Sequence, residues 1–209
     1  MIGIIAYGAG NLKNLERGLR AGGFPAAILE KPQEAAGAEL LILPGVGAFA
    51  PAMKALRRSG WFEKLQLWHE DKRPLFGICL GMQLLCRESH EKEHTAGLAL
   101  LDASVELLSK APKLPHMGWN SLEWTRCRSL PIAATEPEQT FYFVHSYGVV
   151  QSPHTLANTT TGKVTFASVL GKGKVLGMQF HPERSGPEGI AFLSRLVRQF
   201  LKKEWEGIQ

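Results

Sequence analysis

Cysteine is scarce in this chain: Cys79, Cys86 and Cys127 are the three in 209 residues. An odd number without a paired spacing argues against a disulfide framework and suits a reducing, cytoplasmic setting. No CxxC or HxxxH pair suggests zinc, and His69, His90, His94 and His154 stand in polar stretches that read as solvated surface. No zinc site is therefore expected. Long apolar runs are missing too. None approaches the roughly 18 residues of a membrane-spanning helix, so no membrane association is expected. The opening MIGIIAYG is strand-like and too short for a signal peptide. Positive charge is in modest excess, with a net charge of +5 and a pI near 9.2. The basic residues are scattered, with Lys202-Lys203 the densest pair and no basic stripe interleaved with aromatics. Nucleic acid is not the expected partner, although a mildly positive field can help capture an anionic one. Internal repeats, linkers and low-complexity segments are absent.

What is present is an ordinary globular composition, 44% hydrophobic and 21% charged. It is enough for one domain over 1–209 with a substantial core. The first half alternates short, continuously apolar strands with helices. Strands are expected at 2–7, in AAILE, in AELLILPG and in PLFGI. Helices are expected at 11–22, 48–58, 61–71 and 80–89. Uninterrupted apolar strands in a βαβ order predict a parallel sheet covered on both faces. After about residue 97 the pattern changes to short strands joined by Gly, Pro and polar turns, with LGKGKVLG as a hairpin. A helix with apolar residues at 3–4 spacing closes the chain over 186–203.

YGAGNLK follows the first strand and invites a dinucleotide reading. Lys13 stands where the fingerprint needs its third glycine, so the stretch reads instead as a tight strand-to-helix turn capped by Asn11. A second glycine pair carries more chemistry. Gly77-Ile78-Cys79-Leu80-Gly81 sits between a strand and a helix, the nucleophile-elbow pattern with cysteine in place of serine. Such a turn aims the sulfur into a cleft at the carboxyl end of the sheet. It sets the sulfur beside a helix N-terminus, which favours the thiolate, and points the Leu80 N–H at a developing oxyanion. Cys86, on the same expected helix, reads as core, and Cys127, between two arginines, as incidental.

A thiol nucleophile needs a base. His181 ends an apolar strand, is stopped by Pro182, and has Glu183 two residues on. Histidine can take a thiol proton and return one to a leaving amine, and the carboxylate can orient the ring. The order is Cys79, His181, Glu183.

Taken together, PGVG (44–47), GICLGMQLL (77–85) and HPE (181–183) resemble the three signatures of the class I glutamine amidotransferases, in order and approximate spacing. The resemblance spans nearly the whole chain. YGAGNL (7–12), PHMGWN (115–120) and FYFVHSY (141–147) resemble free-standing glutaminase subunits of that family. The resemblance implies an α/β, flavodoxin-like fold whose mostly parallel sheet is flanked by helices, with additional antiparallel strands in the C-terminal half. It implies L-glutamine as substrate and no metal or organic cofactor. Cys79, His181 and Glu183 would be catalytic. Gly45, Val46 and Gly47, with Leu80, would serve the oxyanion, one loop peptide turning before its N–H can do so. Gln83, Glu91, Tyr142, His145, Ser146 and Tyr147 would hold substrate. Asn11, Met117, Gly118, Trp119, Asn120 and Arg184 would face a barrel-shaped synthase partner in a heterodimer, with Arg184 where the family often has lysine. Three other readings remain open: a glutaminase for another synthase such as a pyridoxal phosphate synthase, a γ-glutamyl hydrolase or peptidase on the same fold, and a non-catalytic scaffold.

Overall fold

The computed structural model describes residues 1–125, 140–202 and 207–208. Cys127 lies outside them. The first half runs β1 (Ile2–Ile5), α1 (Leu12–Ala21), β2 (Ala26–Leu29), β3 (Leu40–Gly45), α2 (Phe49–Arg58), α3 (Trp61–Glu70), β4 (Leu75–Cys79) and α4 (Leu80–Leu85). The second half adds β5 (Cys86–Ser89), β6 (Thr95–Ala96), β7 (Leu101–Leu107), β8 (His116–Ser121), β9 (Glu123–Trp124), β10 (Thr140–His145), β11 (Tyr147–Gly148), β12 (Thr155–Thr161), β13 (Val164–Lys172), β14 (Val175–Met178) and α5 (Gly186–Phe200).

Among the described residues, eight strands form one sheet in the order β2-β1-β3-β4-β14-β13-β12-β9. β2, β1, β3, β4 and β14 pair in parallel. β14 to β13, β13 to β12 and β12 to β9 pair antiparallel. The α/β reading and the switch to antiparallel pairing in the second half therefore hold. Lys172 and Val175 flank the turn of the β13–β14 hairpin, where Gly173 takes φ +55°.

Side chains alternate across the parallel strands, so each strand feeds two cores. Ile4, Ile42, Phe76 and Ile78 pack under α1 and α5 with Leu15, Phe192 and Leu196. Ile5, Leu41, Leu43 and Leu75 pack under α2, α3 and α4 with Phe49, Trp61 and Leu84. Burial on both faces is why these strands are apolar without interruption.

One helix is shorter than its sequence suggests. α4 ends at Leu85, and Cys86–Ser89 continues as a strand rather than as helix to residue 89. β5 pairs parallel with β7 and antiparallel with β6. Gly97 lies so close that a Cβ there would stand 2.2 Å from the Cys86 carbonyl oxygen. Long-range pairing overrides local helix propensity. Cys86 is nonetheless fully buried, and burial alone pushes its thiol up to about 12. It is a packing residue.

Candidate active site

The parallel strands deliver their carboxyl ends to one edge, where ligands of such sheets gather. β4 runs directly into α4 through Cys79, whose backbone takes φ +54°, ψ −111°. That region is costly for a residue with a side chain and persists only where the surroundings enforce it. The enforcement comes from two close approaches. A Cβ on Gly77 would lie 2.7 Å from backbone atoms of Gly81, and a Cβ on Gly81 would lie 1.8 Å from the Leu43 carbonyl oxygen. Neither position has room for alanine. Leu80 is the first residue of α4, so its N–H has no intrahelical acceptor.

His181 follows β14 and the buried Phe180. The Phe180 ring lies 4.2 Å from Phe141 and 5.9 Å from Phe192, centroid to centroid. Three hydrogen bonds fix the backbone around His181. Its N–H donates to the Tyr142 carbonyl at 2.9 Å, and Ser185 Oγ donates to its carbonyl at 2.6 Å. Ser185 Oγ in turn accepts from the Tyr142 N–H at 2.9 Å. Glu183 sits in the short turn Pro182–Arg184 and places Oε1 2.8 Å from His181 Nδ1. Both side chains are almost wholly buried. Burial disfavours a charged ring, but the Cys79 sulfur and then the Glu183 carboxylate outweigh it and raise the His181 pKa to about 10. His181 Nε2 has no hydrogen bond of ordinary geometry. It is the ring atom left for the sulfur once Nδ1 is engaged by the carboxylate.

The Cys79 sulfur borders a cavity of about 310 Å³. Val46, Gly47, Leu80, Gln83, Glu91, His145, Ser146, Tyr147 and Arg184 line it with Cys79 and Val144. Gly45 pairs with Cys79 in register on the neighbouring strand β3. The structure thus brings Cys79, His181 and Glu183 together, and most of the expected substrate residues with them. Gln83 donates both amide hydrogens inward, to Tyr147 O at 2.9 Å and Gln179 Oε1 at 3.0 Å, which leaves its oxygen for a ligand. Glu91 Oε2 accepts from the Phe49 N–H at 2.7 Å and so caps α2 from within the cavity wall. Buried His145 binds Tyr147 O through Nδ1 at 2.9 Å. Burial drives its pKa down to about 3, keeping the ring neutral. Tyr142 is set apart from the cavity lining: its ring lies under the Arg184 guanidinium at 4.5 Å and 6.1 Å from Trp119.

The expected partner-facing residues occupy the surface. Met117 and Trp119 are 61% and 54% exposed on β8, large apolar groups left in water. Gly118 lies between them at φ +146°. Asn120 differs, since its amide faces His116 Nε2 at 3.1 Å. Asn11 Oδ1 accepts from Asn14 N at 3.4 Å and caps α1, as the turn reading holds.

Three residues near the sulfur escape sequence reasoning. Gln179 Nε2 points at Cys79 Sγ from 3.8 Å, Ser185 locks His181, and the Tyr7 hydroxyl is buried with no hydrogen-bond partner among the described residues. Gln179 carried the one available signal, a polar residue inside a wholly buried apolar run.

The model of the class-I glutamine amidotransferase family matches residues 4–200. The chain belongs to that family. Its relatives include imidazole glycerol phosphate synthase subunit HisH of Desulfitobacterium hafniense, 44% identical over 92% of both chains. The HisH subunit of Shouchella clausii is 43% identical over 93% of this chain and 96% of its own. Among solved structures, a glutamine amidotransferase superposes with a TM-score of 0.73 at 24% identity, covering 96% of each chain. A chain of PurLQS from Thermotoga maritima gives 0.73 at 18% identity, covering 96% of this chain and 98% of its own. At such identities these two speak for the fold. These structures share the overall fold of the chain, while its sequence aligns with HisH subunits over nearly its whole length.

Proposed function

We propose that this chain is the glutaminase subunit of an imidazole glycerol phosphate synthase, working as a heterodimer with a barrel-shaped cyclase subunit. It hydrolyses L-glutamine to L-glutamate and ammonia. The observation that carries the reading is the strained Cys79 at the wall of a cavity of about 310 Å³, interacting with His181 of the His181–Glu183 pair. The end-to-end similarity to HisH subunits supplies the client.

The Cys79 sulfur attacks the side-chain amide carbon, forming a C–S bond. The carbonyl oxygen takes the negative charge and is met by the N–H of Leu80 and of the 45–47 loop. Protonated His181, its charge sustained by Glu183, gives its proton to the amide nitrogen, the C–N bond breaks, and ammonia leaves. His181 then takes a proton from water, whose oxygen attacks the γ-glutamyl thioester. The C–S bond then breaks, glutamate departs, and the Cys79 thiolate and protonated His181 are restored. Loss of one oxyanion donor typically costs ~10²–10³ in kcat. One misdirected peptide at Gly45–Gly47 therefore suffices to silence the free subunit, and a partner that redirects it switches activity on.

Ammonia released in open water would be protonated, so a dry passage to the cyclase is the useful arrangement. There it would enter imidazole glycerol phosphate and AICAR formation, in histidine biosynthesis. Exposed Met117 and Trp119 on β8 suit docking of that partner. No helix among the described residues is long and apolar enough to cross a membrane.

The deciding experiment measures glutamate release from glutamine by the chain alone and with a purified cyclase subunit plus its phosphorylated ligand. Strong stimulation that Cys79→Ala abolishes is the expected result. Stimulation by a pyridoxal phosphate synthase instead, or partner-free hydrolysis of γ-glutamyl peptides, would overturn the assignment of client or reaction.

A further inference from the structure

Next to Glu91, which lines the cavity, β5 and the turn after it carry a donor set with no part in the thioester chemistry. Glu88 lies on β5, His90 and His94 on the turn to β6, and Glu106 on the neighbouring β7. One ligand atom from each of Glu88, His90 and His94 lies within 4.8 Å of the others. His94 Nε2 stands 2.9 Å from Glu88 Oε2, and His90 Nδ1 stands 2.6 Å from Glu106 Oε1. His90-x3-His94 has a spacing common to paired histidine ligands. The polar sequence around it assigned both residues to the surface, and they are indeed exposed. What the sequence conceals is convergence, because the parallel pairing of β5 with β7 brings Glu106 to them.

We propose that Glu88, His90 and His94, with Glu106 as fourth donor, form a surface site for a divalent ion of the zinc class. Two imidazole nitrogens and two carboxylate oxygens make a neutral tetrahedral set around Zn²⁺. Bond lengths near 2.1 Å put neighbouring tetrahedral donors about 3.4 Å apart. The closest donor pairs already stand nearer than that; among Glu88, His90 and His94 the widest must close by up to roughly 1.4 Å, and Glu106, paired with His90 alone of the three, must swing in to complete the set, movements open to exposed side chains turning about their own bonds. Glu88 is preoriented: Ser104 Oγ donates to its Oε1 at 2.7 Å, leaving Oε2 for the cluster. Outer donors of this kind orient a metal ligand. The bound ion would tie together β5, β7 and the 90–94 turn. Glu91, between the two histidines, anchors that turn to α2 at the cavity wall.

Zinc uptake by the untagged full chain, carrying Cys79→Ala so that the sulfur and His181 do not compete, is measured by titration calorimetry with Zn²⁺ alone. One equivalent is expected, weakened at least tenfold by His90→Ala/His94→Ala and by Glu88→Gln. Co²⁺ in place of Zn²⁺ should give tetrahedral ligand-field bands without a thiolate charge-transfer band, which separates this site from any cysteine. Unchanged circular dichroism of the variants keeps the comparison one of binding, and Glu106→Gln serves if Glu88→Gln misfolds. Uptake unaffected by the histidine pair, a thiolate band, or no uptake at millimolar Zn²⁺ would each overturn the site and leave a network of surface ion pairs.

Discussion

Gly81 and Leu43 approach so closely that a single added carbon on Gly81 would sit 1.8 Å from the Leu43 carbonyl oxygen. The contact is between α4 and the middle of β3, backbone to backbone. It is what lets the turn at Cys79 project the sulfur over the sheet edge while Gly45 runs alongside on β3.

Gly81→Ala should therefore be among the most damaging single changes in the chain. No flexible side chain can yield, so β3 and α4 must part. The cost is expected to reach about 3 kcal/mol, the upper end for overpacking, and is read from the urea midpoint. A soluble variant should also have lost glutaminase activity. A variant with parental midpoint and activity would mean that the elbow is looser than this contact requires.

Glu183→Gln tests the other half of the site. The carboxylate helps to hold the His181 pKa near 10, so the ring is protonated at neutral pH and can serve the departing nitrogen. The amide keeps the shape but withdraws the charge. With partner present, kcat should fall by about 10²–10⁴. The alkaline limb of the rate profile should move to lower pH, because His181 then loses its proton earlier. A variant that loses rate without moving that limb would show that Glu183 positions the ring without setting its charge.

Most of the sheet is legible in the sequence because continuously apolar stretches such as Leu40–Leu43 and Leu75–Ile78 leave few alternatives to a doubly covered parallel strand. The candidate trio Cys79, His181 and Glu183 is legible for a similar reason: two glycines around Cys79 and a proline after His181 each mark a backbone constraint. Features set by distant pairing are not. Cys86–Ser89 has nothing local to stop a helix, and only β7 and β6 turn it into a strand. Ser185 and Tyr7 look ordinary until the fold sets one against the His181 carbonyl and the other under Gly45, where an added Cβ would meet the Tyr7 hydroxyl at 2.6 Å.

That hydroxyl gives a counterintuitive expectation. It is buried without a partner among the described residues, so Tyr7→Phe removes an unmet hydrogen-bonding group at almost constant volume. Stability should stay level or rise by up to about 1 kcal/mol. A loss of more than that on urea unfolding would reveal a partner for the hydroxyl in solution.

His145 should make the protein acid-sensitive. The unfolded chain takes up its proton near pH 6.5, the folded one only near 3, because the ring is buried. Between those values the unfolded state holds more protons, so stability is complete above about pH 6.5 and falls as pH drops. From pH 7 to 5 this one ring should cost about 2 kcal/mol. Burial of His116 acts in the same direction. Urea unfolding at a series of pH values should show the decline, and His145→Gln should flatten it. An unchanged slope would place the acid sensitivity elsewhere.

Trp119 separates folding from association. Its ring is 54% exposed, touching Tyr142 at the edge of the Arg184 stack, and carries little of the core. Trp119→Ala should leave the urea midpoint within about 0.5 kcal/mol of the parent, as for other surface changes. An aromatic anchor at the centre of an interface is worth ~2 kcal/mol or more, roughly thirtyfold in affinity. Affinity for the cyclase should fall by that factor while partner-free behaviour stays the same. Lost affinity together with lost stability would point to a structural ring instead, and retained affinity would move the docking surface away from β8.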